Sequence, residues 1–181
     1  MIRVVPLDEF DPADLAFVTR NLYRAFGLGT ELVGQKPLPS DLGGKGGRVD
    51  ALALLREVAP VRTFADDKVL YLTTAPLSVP PGPLGEPPCW GFAEYGKERA
   101  MLSTVRLPSR GTSETSVEAY RRRMAREAIH VVGHLWDLHH CVDGRCVMHP
   151  SWSPFLPASP EMDLCAFCRE KSERKIRLAK T

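Results

Sequence analysis

Long apolar runs, a strong charge of one sign and internal repeats are all missing from this sequence of 181 residues. Arg, Asp, Gly or Pro interrupts each apolar stretch before it reaches the length of a bilayer, which excludes a membrane-spanning helix. The 24 Lys and Arg nearly balance the 22 Asp and Glu, so no bulk attraction to nucleic acid is expected. Residues 1–6 are too short for the apolar core of a signal peptide. We therefore expect a cytoplasmic monomer that binds neither membranes nor nucleic acid.

Cysteine is scarce and unevenly placed. Four of the five cysteines crowd into the last quarter of the chain, and the fifth is Cys89. The odd count and a CxxC pair favour metal ligation over disulfide bonds, because a reducing cytosol keeps thiols available as zinc ligands. Disulfide bonds stay open as the less favoured alternative.

The length allows one ordinary core with a small appended subdomain, but not two full domains. Strand-like and helix-like segments alternate through the first half, which predicts a mixed α+β architecture. Apolar residues at helical spacing predict a helix over 12–26, with Asp11 as its cap. The other elements predicted in this half are strands over 2–7 and 30–38, a glycine-rich turn over 43–47 and a helix over 49–58.

The second half is predicted to complete the sheet and then to become helical. The prolines of residues 76–88 predict a surface loop, because proline cannot donate a ladder hydrogen bond. The predicted regular elements are strands over 69–74, 90–95 and 101–107, the last two joined by a Gly96-Lys97 turn, and helices over 115–136 and 163–178. A solvated face is expected for the basic residues of the last helix, which are Arg169, Lys171, Arg174, Lys175 and Arg177.

The long helix carries the sharpest motif in the chain, His130-Val131-Val132-Gly133-His134. Two histidines four residues apart lie on one helix face and can approach a single cation. If the helix stops just after Trp136 and the chain folds back, His140 supplies a third nitrogen and one coordination position stays open for water. This is a catalytic arrangement for zinc. The alternative for any one of these histidines is simple packing or solvation.

Two close cysteine pairs follow the histidines: Cys141 with Cys146, and Cys165 with Cys168. Two thiolate pairs separated by a short loop are the usual arrangement for a tetrahedral zinc held by cysteines alone. Four thiolates leave no open position, so this second ion is predicted to be structural and to pin the C-terminal tail. The segment between the pairs, residues 149–160, is predicted to form either a wall of the active-site cleft or a packed loop.

These residues resemble the signature of the archaemetzincins, a family of metzincin-clan zinc metallopeptidases, which runs HExxHxxGxxHC, then C, a methionine and a CxxC. The resemblance covers the helix that carries the histidines and extends through Cys168. The matching ligand positions are His130, His134 and His140 for a catalytic-type zinc, and Cys141, Cys146, Cys165 and Cys168 for a structural zinc. Met148 matches the methionine of the Met-turn, which the resemblance places beneath the catalytic zinc as a hydrophobic floor.

The resemblance also implies a fold and an activity. The fold is a metzincin-like α+β unit with a twisted mixed sheet, a backing helix, an active-site helix and a small zinc-stapled C-terminal subdomain. The expected division is residues 1–136 and residues 137–181. The implied activity is hydrolysis of peptide bonds by zinc-bound water, with two zinc ions per chain. The implied partner is a peptide or unfolded protein segment, which would pair with a strand of the Trp90–Leu107 region.

Two positions depart from the family pattern. Val131 stands where the family has the glutamate that acts as general base, and valine cannot accept or return a proton. Loss of such help typically costs about 10²–10⁴-fold in rate. Asp137 stands where the family has glycine, and aspartate is one of the few other residues that enters the left-handed region at tolerable cost.

Three nearby residues have open roles. Glu127 lies one helical turn before His130, but pairing with Arg123 or another base is the favoured interpretation. His139 is a competing third ligand, although the spacing and the following cysteine favour His140. Cys89 is expected to be a small buried hydrophobe rather than an extra ligand.

Two functions of different classes therefore follow from the sequence. The first is a zinc-dependent metallopeptidase whose activity is impaired by the missing glutamate. The second is a catalytically inactive pseudoenzyme that binds peptides in a zinc-dependent manner. No catalytic proton-transfer residue is assigned, because Val131 occupies that position.

Overall fold

The computed structural model describes residues 1–39, 47–58, 60–61, 63–64, 66–79, 88–105, 107, 113–150 and 161–179. Its strands are β1 (Ile2–Pro6), β2 (Thr30–Leu32), β3 (Val49–Asp50), β4 (Lys68–Thr73), β5 (Leu77–Ser78), β6 (Pro88–Cys89), β7 (Gly91–Ala93) and β8 (Arg99–Ser103). Its helices are α1 (Pro12–Phe26), α2 (Ala51–Glu57), α3 (Glu114–Leu135) and α4 (Ala166–Ala179). The predicted α+β class with a mixed sheet is confirmed.

The main sheet has five strands in the order β2-β1-β4-β8-β7. All neighbouring pairs are parallel except β7 and β8, which form the predicted antiparallel pair with Gly96 in the left-handed region (φ 68°) of the connecting turn. All six residues of the central strand β4 are buried, as expected for a parallel strand covered on both faces. The edge strand β7 lies beside α3, so the helix that carries His130 and His134 runs along this edge of the sheet.

Alternate residues of the strands point to two separate cores. On one face, Val4, Leu70 and Leu102 pack with α1, α3 and part of α4. On the opposite face, Tyr71 and Met101 pack with α2 and β5. The helix α1 is therefore the predicted backing helix on the same side as the site helix.

The helix α1 has the predicted bounds, and local capping explains both of its ends. Asp11 accepts a hydrogen bond from the backbone N–H of Ala13 at 2.8 Å, which satisfies one of the first unpaired donors. Gly27 closes the helix in the left-handed conformation (φ 63°), and its N–H donates to the Tyr23 carbonyl. The cap at Asp11 was predicted from the sequence.

Some predicted elements differ in the structure. The strand expected over 30–38 ends at Leu32. Val49 donates its N–H to the Pro76 carbonyl, so residues 49–50 form a short strand and α2 begins only at Ala51. Within the predicted proline loop, Leu77 is buried and pairs with this strand in a second sheet of order β3-β5-β6. The glycines at 43, 44 and 46 and the segment 151–160 lie outside the described residues.

The long helix α3 closely matches its predicted bounds. Ser113 caps its start by accepting from the Ser116 N–H at 3.2 Å. Every residue from Met124 to Trp136 is buried, so this half of the helix runs through the core before the chain turns at Asp137. No helix within the described ranges is long and apolar enough to cross a membrane. The division into residues 1–136 and 137–181 stays a prediction.

Candidate metal centres

The imidazoles of His130 and His134 lie on one face of α3 and are held in a single orientation by backbone carbonyls. The Nδ1 atom of His130 is 2.8 Å from the Val147 carbonyl oxygen, and the Nδ1 atom of His134 is 2.7 Å from the Leu138 carbonyl oxygen. A carbonyl oxygen only accepts hydrogen bonds, so each Nδ1 must carry the proton. In the neutral ring the other nitrogen, Nε2, is then a bare acceptor, which is the form that binds a metal.

Burial keeps both rings neutral. The exposed fractions of His130 and His134 are 7% and 8%, and burial lowers the pKa of each to about 4. Their two Nε2 atoms are nevertheless only 3.1 Å apart. Two bare acceptors repel each other at this distance unless a cation lies between them, and two nitrogens at about 2.0–2.1 Å from a tetrahedral zinc are roughly 3.3 Å apart. The pair therefore fits a zinc ion.

His140 reaches the same point from the turn after α3. Asp137 takes the left-handed conformation (φ 60°) that the sequence predicted for it, and the chain folds back toward the helix. The ring centroid of His140 is 5.3 Å from that of His130 and 5.1 Å from that of His134. One ligand nitrogen from each of the three lies within 4.8 Å of the others. His140 is exposed, so this side of the site is open.

His139 points to a different partner. Its ring stacks on Tyr95 with centroids 4.5 Å apart, and its side chain is 63% exposed. Tyr95 also meets His134 edge-on at 4.8 Å, because the N–H of Gly96 donates to the His134 carbonyl at 3.0 Å and holds the hairpin turn against α3. Sequence reasoning missed Tyr95. The Gly96-Lys97 turn was predicted, but no local pattern indicates that this turn contacts the end of α3.

The position of the family glutamate is closed by packing. Val131 is 4% exposed. A Cβ added to Gly91 on β7 would lie 2.5 Å from the Val131 Cγ2 and 3.0 Å from the Met101 carbonyl oxygen. Only glycine allows the edge strand to approach α3 this closely. The side chain at position 131 therefore fills a dry contact between helix and strand and offers no polar group.

Glu127 is held by cations on its own helix. Its Oε1 lies 3.2 Å from the Arg123 Nε and 3.2 Å from the Arg126 Nη1, and its side chain is 4% exposed. Arg123 also lies over the ring of Trp90, 4.6 Å from the centroid. Pairing of Glu127 with Arg123 is thus confirmed as the better interpretation of this carboxylate.

Met148 packs against α3 at Gly133, between the two histidines of the helix. It is fully buried, and a Cβ added to Gly133, which lies between the two histidines in sequence, would overlap its Sδ atom. The preceding residue is Val147, whose carbonyl orients His130. The N–H of Cys141 donates to the Met148 carbonyl at 2.9 Å and joins this segment to the chain that leaves His140. The role of Met148 as a floor beneath a metal ion stays a prediction.

The four clustered cysteines form a second group. One sulfur from each lies within 4.8 Å of the others, and none forms a disulfide. The Sγ atoms of Cys141 and Cys165 are 3.8 Å apart, which matches the spacing of about 3.8 Å for two thiolates bound at 2.3 Å to a tetrahedral zinc. Burial raises the pKa of Cys146 to about 11 and also raises that of Cys168. Thiolates at these positions need a cation to compensate for burial. Cys89, which is half-buried in β6, belongs to neither group.

The terminal helix α4 contacts the turn beneath the histidine site. Lys175 donates from Nζ to Asp137 Oδ2 at 2.8 Å, and this hydrogen bond lowers the pKa of Asp137. The expectation of a fully solvated basic face is therefore wrong for Lys175, which is half-buried. The helix was predicted over 163–178, and such a contact between distant segments leaves no local pattern.

Several known proteins are similar to this chain in both sequence and fold. Residues 102–174 match the family model described as Peptidase family M54. The archaemetzincin of Pyrococcus furiosus is 28% identical over 187 residues, which cover 97% of this chain and 94% of the relative. The crystal structure of archaemetzincin from Methanopyrus kandleri has a TM-score of 0.80 at 25% identity, over 97% of this chain and 94% of that one. This chain resembles the archaemetzincins in both sequence and fold.

Two further proteins are also similar to this chain. The relative from Archaeoglobus fulgidus is 37% identical over 83 residues, which cover 45% of each chain. The structure of a zinc-dependent peptidase from Methanocorpusculum labreanum is 20% identical with a TM-score of 0.75, which shows a shared fold. The predicted resemblance to the archaemetzincins and the predicted α+β fold are confirmed, and the chain carries candidate histidine and cysteine metal sites.

Proposed function

We propose that this chain is an archaemetzincin that binds two zinc ions and is a peptidase of impaired activity. The catalytic-type zinc is assigned to His130, His134 and His140, and the structural zinc to the four clustered cysteines. The observation that carries the proposal is the convergence of two neutral, oriented Nε2 atoms at 3.1 Å beside an exposed third histidine. Three nitrogens leave one position open on a tetrahedral ion, as catalytic zinc sites require.

Zinc bound here would lower the pKa of a water molecule in the open position and polarise a peptide carbonyl. The chain itself contributes rigidity. The carbonyls of Val147 and Leu138 fix the two buried imidazoles before any ion arrives. Met148 fills the space beneath them, which keeps the floor of the site apolar. The site is in this sense prepared for metal.

Proton transfer is the weak step of this site. Val131 cannot hold a proton, and the two carboxylates closest along the helix and its turn are each engaged by a cation. Glu127 pairs with arginines of its own helix, and Asp137 pairs with Lys175. A missing general base typically lowers the rate by about 10²–10⁴-fold. We therefore expect slow hydrolysis.

The proposed substrates are short or unfolded peptides. Among the described residues, β7 is the edge strand of the main sheet and lies against α3, so an extended peptide could pair with this edge beside the histidines. The four clustered cysteines form no disulfide, which favours a reducing compartment and a cytoplasmic location. We propose that the chain acts as a monomer.

The alternative is a pseudoenzyme that binds peptides without cleaving them. Close packing of Val131 against Gly91 favours it, because the general-base position is filled by an apolar contact rather than left vacant for water. Such a protein would keep the zinc geometry and the strand edge but have no turnover.

The substitution Val131→Glu separates the two functions. We expect it to raise the rate of peptide cleavage by about 10²–10⁴-fold, because it returns a proton acceptor to the helix. Val131→Gln is the matched control, since glutamine has the same shape and lacks the carboxylate. The measurement is cleavage of an unfolded protein and of short fluorogenic peptides. Measurable turnover by the unsubstituted chain, lost in a His130→Ala, His134→Ala variant, would reject the pseudoenzyme. Activity confined to Val131→Glu would reject the peptidase.

Zinc content tests the assignment itself. Elemental analysis of protein purified without added metal should give two zinc ions per chain. The His130→Ala, His134→Ala variant should retain one. One zinc ion in both proteins would contradict the catalytic-type site.

A further inference from the structure

The helix α4 spans the distance between the two metal centres. It carries Cys168 in its first turn, and Ser172 and Ile176 follow at four-residue spacing; all three are buried. Lys175 lies beside Ile176, two turns after the cysteine. Residues spaced by three and four share one helix face, so the face that begins at the cysteine cluster also carries Lys175. A contact that fixes Cys168 therefore also limits the movement of Lys175, which lies on the same face of α4.

The partner of Lys175 is the residue on which the turn after α3 depends. Among the described residues, Asp137 is the single non-glycine residue with a positive φ (60°). For an L-residue this conformation costs roughly 1–2 kcal/mol, and aspartate tolerates it better than most. The ion pair with Lys175 joins Nζ and Oδ2 at 2.8 Å, with both side chains more than half buried. A cation from a distant helix thus holds the residue that adopts the unusual backbone conformation.

The turn at Asp137 also determines the orientation of His134 and the position of His140. The N–H of Asp137 donates to the His134 carbonyl at 2.9 Å, and the N–H of Leu138 donates to the Gly133 carbonyl at 3.1 Å. The carbonyl of Leu138 then accepts from the His134 Nδ1 at 2.7 Å, which fixes the ring. His140 follows two residues later. A displacement of Asp137 would therefore rotate one imidazole and shift another.

We propose that Lys175 is a positioning residue for the three-histidine site. It clamps Asp137 from a helix that the cysteine cluster anchors, and through the turn it fixes the orientation of His134 and the approach of His140. The inference rests on the proposed function in one respect, namely that the three histidines hold zinc. Glycine, which the family pattern has at this position, enters the left-handed region freely but offers no side chain to hold. In this chain Asp137 supplies that attachment.

The test is the zinc affinity of the histidine site, measured by competition with a chelator. Lys175→Met and Asp137→Asn should each weaken binding by about two- to fivefold, the range of a partly exposed ion pair. The double variant should be no weaker than either single variant, because both remove the same contact. Lys175→Arg keeps the positive charge and should restore affinity. Arg174→Met removes a charge from an exposed position of the same helix and is the matched control.

A second measurement separates positioning from folding. The visible absorption of Co²⁺ bound in place of zinc reports ligand geometry, and it should shift in Lys175→Met but not in Arg174→Met. Thermal unfolding of the metal-free forms of these two variants should agree. If Lys175→Met binds zinc as tightly as Arg174→Met and gives the same Co²⁺ spectrum, the positioning role is wrong while the zinc site stands. If the unsubstituted chain binds no zinc at the histidines, both proposals fall.

Discussion

The two candidate metal centres differ in how much of their structure exists without metal. At the histidine site, backbone carbonyls already hold His130 and His134 in the tautomer and orientation that a metal needs. At the cysteine cluster, burial raises the pKa of two of the four thiols, Cys146 and Cys168, so the thiolate form of these two needs a cation to compensate for burial. The fold alone orients the two buried histidines, whereas the cysteine cluster is expected to depend on a bound metal ion for its stability.

The two candidate metal centres also differ in their exposure to solvent. The histidine site is open on the side of His140, where Tyr95 and His139 also reach solvent. At the cysteine cluster all four sulfurs would bind a tetrahedral ion, and the cluster joins the loop after α3 to the start of α4. A zinc ion with an open coordination position can bind water and substrate, whereas a zinc ion with four protein ligands stabilises the fold. Removal of metal should therefore damage the two regions to very different degrees.

The largest effect is expected at the cysteine cluster. Cys146→Ser replaces a fully buried ligand and should release the structural zinc. The free energy of unfolding should fall by several kcal/mol, because binding energy at such a site contributes directly to folding. Zinc content and thermal unfolding measure the change. Cys89→Ser, which removes a cysteine outside the cluster, should keep both metals. Unchanged zinc content in Cys146→Ser would show that the cluster is not a metal site.

An intermediate effect is expected beneath the histidine site. Gly133→Ala would place a methyl group into the Sδ atom of the buried Met148. Overpacking of this kind costs about 1–3 kcal/mol, and the floor of the site must shift. Thermal unfolding should report the loss of stability, and chelator competition should report weaker zinc binding at the histidines. Gly144→Ala is the control, since nothing lies within 4 Å of its added Cβ. Equal stability of the two variants would contradict close packing between Met148 and α3.

Local patterns predicted the parts of this molecule that depend on neighbours in sequence. The cap at Asp11 gave α1 its bounds, and four-residue spacing placed His130 and His134 on one face. The left-handed turn at Asp137 was implied by the resemblance to a family that has glycine there, and by the tolerance of aspartate for this conformation. The cysteine spacing indicated a cluster that the folded chain does bring together.

Contacts between distant segments could not be predicted in the same way. Tyr95 reaches His134 because the hairpin turn docks on α3, and Lys175 reaches Asp137 across 38 positions of sequence. The strand β5 was predicted as loop because its partner, β3, is itself only two residues long. These features arise from tertiary packing, which overrides weak local preference.

The smallest effect is expected at the exposed edge of the open site, and it decides which histidine is the third ligand. His139 stacks on Tyr95 and lies outside the group of three. His139→Ala should therefore change zinc affinity by less than about twofold, as is usual for a surface substitution without a buried partner. His140→Ala should release the zinc ion from the histidine site, because only two of the three nitrogen ligands remain and the affinity for zinc falls. Chelator competition on both variants provides the comparison. A loss of zinc in His139→Ala, together with its retention in His140→Ala, would reverse the assignment and would require the turn at Asp137 to rearrange when metal binds.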